Sequence, residues 1–323
     1  MAAALVLLVA YLAYVGFQGS QIFGAHSRAG DCRTPTSAFG WPYEAINYDI
    51  ASDRDLGGFS DRMNCPHQGQ AAGTEVTASD GTRIAGWFVP SAAKAGPTAP
   101  TVVLAHADGA DKSDMLAWAE PLHAAYNLVF FDFRNNGQSS GNTTTLGVRE
   151  ATDMKAVVDW LAKTKRPTSI AILGVAMGGA AAIDEAASDD RVDAVILDST
   201  QATLANAIEA RLERDGFPLA VPGAWAILLG GLVRTGEDMT VADPIQAIAR
   251  YGERPVLIVA AGNDRAIGPH DPAQLAAAAR GGGSSVELQS CPGAAHTQSI
   301  NACSKDYAGW VLGFLGRSLH TAH

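Results

Sequence analysis

The sequence predicts an α/β protein with a mainly parallel sheet covered by helices on both faces. Two observations carry this. Short continuous apolar runs, such as Thr101–Ala105 (TVVLA) and Pro255–Ala260 (PVLIVA), alternate with longer stretches of helical spacing, the pattern of strands buried on both sides. At the centre, Ile170–Ala181 (IAILGVAMGGAA) runs from apolar residues through glycines into small helix formers. That is a strand, a very tight turn and a helix start.

Composition agrees. The 323 residues are 47% hydrophobic and 17% charged, suiting a well-buried globular chain. Net charge is −10 and the basic residues are scattered, so no nucleic-acid surface is expected. Ala2–Phe17 is an uncharged apolar run, slightly short for a spanning helix but followed by weakly polar residues to Ala25. Residues 1–25 are read as a signal peptide or an uncleaved membrane anchor, and a buried core helix ranks below both. No Lys or Arg precedes the run, and Ala25-His26-Ser27 is a weak small-x-small cleavage site. Either reading puts the bulk of the chain outside the cytoplasm, with the apolar segment as its contact to the membrane. The four cysteines, Cys32, Cys65, Cys291 and Cys303, fit that compartment as two disulfides. Nearest-neighbour pairing is the expected one of three connectivities. No CxxC spacing suggests a metal, and no cofactor is expected.

In order, residues 26–73 are Gly-, Ser-, Asp- and Asn-rich, read as an extended stalk or wrap with a short strand at Ala45–Ile50. Thr74–Val89 alternates on both sides of Asp80-Gly81, a hairpin signal. Strand Thr101–Ala105, helix Ser113–Tyr126, strand Asn127–Phe133 and helix Val148–Lys163 follow. Next come strand Ser169–Leu173, helix Met177–Ser188 and strand Asp193–Leu197. Residues 200–249 are too long for an ordinary crossover and are expected to form a small helical cap, including the very apolar Ala224–Val233. Strand Pro255–Ala260, helix Asp271–Ala279, strand Ser285–Gln289 and helix Asp306–Leu319 close the core, which comprises 74–199 and 250–323.

Five signatures fall in order at predicted strand ends. They are His106-Ala107-Asp108-Gly109, the loop Phe131-Asp132-Phe133-Arg134-Asn135-Asn136-Gly137-Gln138-Ser139, the turn around Ala176, Asp264, and His296 in PGAAHTQ. Together they resemble the α/β-hydrolase superfamily, closest in style to its exported or membrane-anchored, serine-aminopeptidase-like (Bem46-like) members. The resemblance implies an acyl hydrolase of the serine esterase kind, acting on a small ester or peptide-like ligand. Its elbow, Gly-x-Ser-x-Gly, presents a serine on a strained strand-to-helix turn. Here Gly174-Val175-Ala176-Met177-Gly178 puts a methyl group where the hydroxyl belongs. By the same resemblance His296 is the base, Asp264 orients it, and the backbone N–H groups of Met177 and Asp108 form the oxyanion hole. Ala107 departs from the family's usual glycine. The Cys291–Cys303 bridge would bracket His296.

An alanine cannot attack a carbonyl, so the chain as written is expected to be nearly inactive. Three explanations stand: an engineered serine-to-alanine change, a natural pseudoenzyme keeping its pocket for binding, or another nucleophile. Ser139, Ser140 and Ser199 are poor replacements, because none is expected at a comparable strained turn.

Overall fold

A computed structural model describes residues 2–24, 33–46, 75–93 and 96–319. Eight strands form one sheet: β1 (Glu44–Ile46), β2 (Gly86–Val89), β3 (Thr101–Ala105), β4 (Asn127–Phe131), β5 (Ile170–Val175), β6 (Val192–Asp198), β7 (Val256–Ala261) and β8 (Val286–Cys291). Their spatial order is β1-β2-β4-β3-β5-β6-β7-β8. The β1–β2 and β2–β4 pairs are antiparallel, and every pairing from β4 through β8 is parallel.

The central strands are buried at every position of β3, β4 and β5, as their unbroken apolar runs require when helices cover both faces. One face packs under α4 (Glu150–Thr164), α5 (Met177–Ser188), α8 (Pro244–Arg250) and α9 (Asp271–Gly281), with Val157, Ile183, Ile248 and Leu275 in its core. The other packs under α3 (Leu116–Ala119) and α11 (Ser304–Ser318), with Leu122, Phe314 and Leu315. A short α10 (Ser299–Ala302) precedes α11.

The expected hairpin turn is present. Gly81 N–H donates to Ala78 O and Ala78 N–H to Thr82 O, but Thr77 and Arg83 pair only as an isolated bridge. The expected helix Ser113–Tyr126 is cut to one turn, α3. Pro121 has no N–H to give and its ring crowds the preceding turn, so Leu116–Tyr126 continues through shorter bonds such as Leu122 N–H to Ala119 O. Near the N-terminus α2 (Pro35–Phe39) starts with a capping box between Thr34 and Ser37. The segment after it lies against the sheet, Trp41 stacking on His123 at 3.8 Å. That part of the stalk region is therefore a wrap. The expected Cys32–Cys65 bridge, and most of residues 26–73, lie outside the described residues.

Between β6 and β7 stand α6 (Leu204–Arg214), α7 (Ala220–Thr235) and α8. The first two carry a small core of their own with Leu204, Ile208, Leu212, Ala224, Ile227 and Leu228. The N-terminal helix α1 (Ala2–Gly19) and the turn Ser20–Phe23 join this core through Val15 and Phe23. The apolar leader and the inserted helices thus form one unit. The apolar Ala224–Val233 stretch neither faces a pocket alone nor packs only on the sheet: its inner side meets α1 and α6, and its outer side is exposed.

Candidate active site

The turn after β5 fixes the geometry. Ala176 has φ 50° and ψ −114°, a strained conformation for a residue with a Cβ. Its N–H donates to Asp198 O at 2.9 Å, and its carbonyl accepts from Gly179 N–H at 2.9 Å as α5 begins. Gly178 has no room for a side chain: a Cβ there would strike Ala105 O and lie 2.6 Å from His106 O. The α5 N-terminus therefore lies directly against the loop that follows β3, and the orphan N–H groups of a helix start sit beside it. Gly178→Ala is expected to cost about 1–3 kcal/mol, the usual range for overpacking, read as a lower urea midpoint.

His106 anchors that loop. Its Nε2 accepts from Phe133 N–H at 3.0 Å, so Nδ1 carries the proton and donates to Ala107 O at 2.7 Å. The ring is fully buried and its nitrogens are both engaged, which makes His106 a structural residue. The loop after β4 holds the other side. Asp132 accepts from Lys112 N–H at 2.7 Å, Gln138 N–H at 2.8 Å and the Lys112 ammonium. Arg134 grips Asp153 with three donors. The Asp132–Ser139 motif thus serves as bracing between two loops, its charged groups paired with Lys112, Asp153 and Asp80.

His296 and Asp264 do come together. His296 Nδ1 donates to Asp264 Oδ2 at 2.8 Å, and Asp264 Oδ1 accepts Ala266 N–H at 2.8 Å. A carboxylate can only accept, so this bond fixes the tautomer and leaves His296 Nε2 with its lone pair. The Asp264 side chain is 6% exposed and that of His296 31%: the acid is sheltered and the base is reachable. Two backbone bonds, Gly262 N–H to Cys291 O and Asn263 N–H to Ala294 O, both 2.8 Å, tie the two loops together. The expected Cys291–Cys303 disulfide is present and closes the loop that carries His296. Replacing both cysteines by Ser should lower stability by about 3 kcal/mol on the loop-entropy estimate, read as a lower Tm.

One group near the site has no counterpart in the sequence reading. Asp198, at the end of β6, is fully buried. It accepts from Trp118 Nε1 at 3.2 Å and Ser199 Oγ at 3.0 Å. Burial pushes its carboxyl up, while Trp118, Tyr307, Ser199 and the nearby His296 pull it down. The available signal was an acidic residue closing an otherwise apolar strand (DAVILD).

Ser199 corrects an expectation. It does lie at a strained turn, with φ 53°. It is fully buried, however, and its hydroxyl is committed between Asp198 and the Thr297 N–H at 3.1 Å. The Ser139 hydroxyl is taken by Asp132 O and Ala85 N–H, and Ser140 Oγ accepts Arg83 N–H. None of the three is a nucleophile presented to His296.

A sheet of this order, with a tight turn after β5, an acid after β7 and a histidine after β8, defines an α/β-hydrolase. Within it the chain belongs to the X-Pro dipeptidyl-peptidase (S15) family, which it matches over residues 80–265. It is 30% identical over 184 residues to the uncharacterized protein YfhR of Escherichia coli (strain K12), a match covering 55% of this chain and 62% of the relative. That match spans less than two thirds of the relative's length. YqkD of Bacillus subtilis (strain 168), also uncharacterized, is 31% identical over 150 residues, covering 44% of this chain and 48% of the relative. Among solved structures the chain is similar to the Pyrococcus furiosus esterase Pf2001, with TM-score 0.66 and 19% identity over 91% of this chain and 99% of that one. Est1E of Butyrivibrio proteoclasticus, solved with ferulic acid, gives TM-score 0.57 and 17% identity over 75% and 99%. These likenesses establish the fold.

Proposed function

We propose that this protein is an acyl hydrolase by descent whose site keeps the base, the acid and the strained elbow but, with Ala176 at the nucleophile position, binds its ligand without turning it over in the usual way. The observation that carries this is the pairing of a φ 50° elbow residue with an intact His296–Asp264 couple. Such a couple serves to take a proton from a hydroxyl, and strain at an elbow is kept where function uses it.

In this reading a small ester or peptide-like ligand sits at the carboxyl ends of β3, β5, β7 and β8. The backbone N–H groups of Met177 and Asp108 hold its carbonyl oxygen, since Gly178 lets the helix start close against the His106 loop. In the same reading His296 Nε2, left free by the Asp264 bond, takes the proton of a hydroxyl placed on residue 176. The test is Ala176→Ser, assayed with short-chain p-nitrophenyl esters against the unchanged chain and against Ala176→Ser/His296→Ala. Activity that appears with the serine and disappears with His296 supports the proposal; inert revertant and parent alike would overturn it.

The same proposal takes α1 as an uncleaved membrane anchor. Among the described residues Ala2–Phe23 is the helical stretch long and apolar enough to cross a bilayer, with mean hydropathy 1.8 and 11% of an 18-residue window buried. Removal by a signal peptidase would strip Val15 and Phe23 from the core shared with α6 and α7 and open apolar surface to water. Retention is therefore favoured over cleavage, and a disulfide beside the site suits an extracytoplasmic location.

A further inference from the structure

The inserted helix α7 presents to solvent a stripe of Val221, Trp225, Leu229 and Val233. The spacing of four puts these residues on one face. Leu229 is 62% exposed and Val233 82%, where a water-facing helix would carry polar groups. The helix has no acidic residue in its first turn, and Arg234 in its last turn is its single charge.

This stripe does not stand alone. The second half of α1 runs parallel to α7. Tyr11 Oη donates to Pro218 O at 2.6 Å at one end, and Arg234 rides over the Phe17 ring at 5.9 Å at the other. Between them the backbones nearly touch: a Cβ on Gly16 would lie 2.6 Å from Ala226 O, and one on Gly230 2.5 Å from Gly16 O. Small residues at four-residue spacing, Gly16 on α1 and Ser20 just past its end with Ala226 and Gly230 on α7, are the contact type of helices packed in lipid. The exposed apolar surface of α7 is therefore continuous with that of α1, whose Leu7 is 71% exposed. A shallow groove of about 770 Å³ between the two helices is lined almost wholly by apolar side chains, Leu12, Phe17, Trp225 and Leu229 among them. A contiguous exposed apolar face of this kind marks a site of interaction or membrane contact.

We infer that α7 is a second membrane-contacting element, its Val221–Val233 stripe dipping into the acyl layer alongside the α1 anchor against which it packs. This rests on the reading of α1 as a membrane anchor and extends it to the inserted helices. Polar groups bound the apolar stripe at both ends of α7. Arg214 pairs with Asp215 before it, and Arg234 is followed by the Arg149–Glu237 pair. Such groups limit how far the stripe enters the acyl layer. At 16 residues α7 is about 24 Å long, too short to cross. The consequence for the site is positional. Arg214 Nη1 donates to Arg265 O at 3.0 Å, linking the end of α6 to the loop that carries Asp264, so seating α7 on the bilayer sets the carboxyl edge of the sheet at a fixed distance from it.

The full-length protein carrying the photo-crosslinker p-benzoylphenylalanine in place of Leu7, Leu229 or, as a control on α11, Leu312 is reconstituted into vesicles of phosphatidylcholine and phosphatidylglycerol. All three side chains are exposed, so none of the substitutions disturbs the core. After irradiation, adducts are identified by mass spectrometry. The inference expects lipid adducts at positions 7 and 229 and none at 312. Lipid adducts at 7 without any at 229 overturn it and leave the anchor standing. Protein–protein adducts between copies at 229 in place of lipid overturn it in favour of a second chain on that face. No lipid adducts at either 7 or 229 overturn the anchor reading and this one with it.

Discussion

Ala176→Ser should raise the hydrolysis of a short-chain p-nitrophenyl ester by at least ~10³-fold over the parent chain, because removing the nucleophile alone from comparable triads costs about 10⁶ in turnover. The lower figure allows for Ala107 and Asp108 in the loop after β3, whose backbone is not the glycine-rich one the elbow usually faces. The serine would inherit φ 50°, which aims the side chain off the end of β5 and away from the strand. His296 Nε2 would take its proton as Oγ attacks, and Asp264 would hold the resulting imidazolium through the 2.8 Å bond to Nδ1. Adding Asp264→Asn should then remove up to about 10⁴ of the gained rate by presenting the wrong tautomer. Initial rates for the parent, the single and the double variants decide the matter. A gain that survives His296→Ala would mean that the serine acts without this base and would refute the assignment.

The extent to which the sequence anticipated the site follows from the range over which each residue acts. The elbow was legible because its constraint is local: glycines two residues on either side of Ala176 state that strand and helix must nearly touch. Asp264 and His296 were legible through their order along the chain and their places after apolar strands. Asp198 was not, because its role depends on Trp118 and Ser199 arriving from other loops. The strain at Ser199 escaped for the same reason: its φ is imposed by tertiary bonds to Thr297 and Asp198, and the local sequence DSTQ gives no sign of it. The N-terminal helix was seen as an apolar segment, yet its union with α7 could not be read. Nothing in either segment alone says that Gly16 and Gly230 face each other across more than two hundred residues.

The loop bracing after β4 sets the largest expected effect on stability. Arg134 is nearly fully buried and gives three hydrogen bonds to Asp153, one to Thr152 and one to Asp80. Asp153 is completely enclosed and Asp80 partly exposed. Arg134→Ala would leave the Asp153 carboxylate without its cation in a site that water does not reach, and breaking a buried pair this way costs about 3–5 kcal/mol. Arg134→Met keeps much of the buried stem volume and isolates the charge effect, so it should cost nearly as much. Asp80→Asn, at the exposed end of the same network, should cost no more than about 1 kcal/mol. The decisive comparison is Arg134→Met/Asp153→Leu, in which neither charge remains to be buried. It should recover at least half of the Arg134→Met loss, since apolar replacement of a buried pair is often neutral. Urea unfolding of the parent and the four variants with a common m-value gives these differences directly. If the double variant is no more stable than the single one, the cost lies in the Arg134 hydrogen bonds to the loop and not in a stranded Asp153 charge.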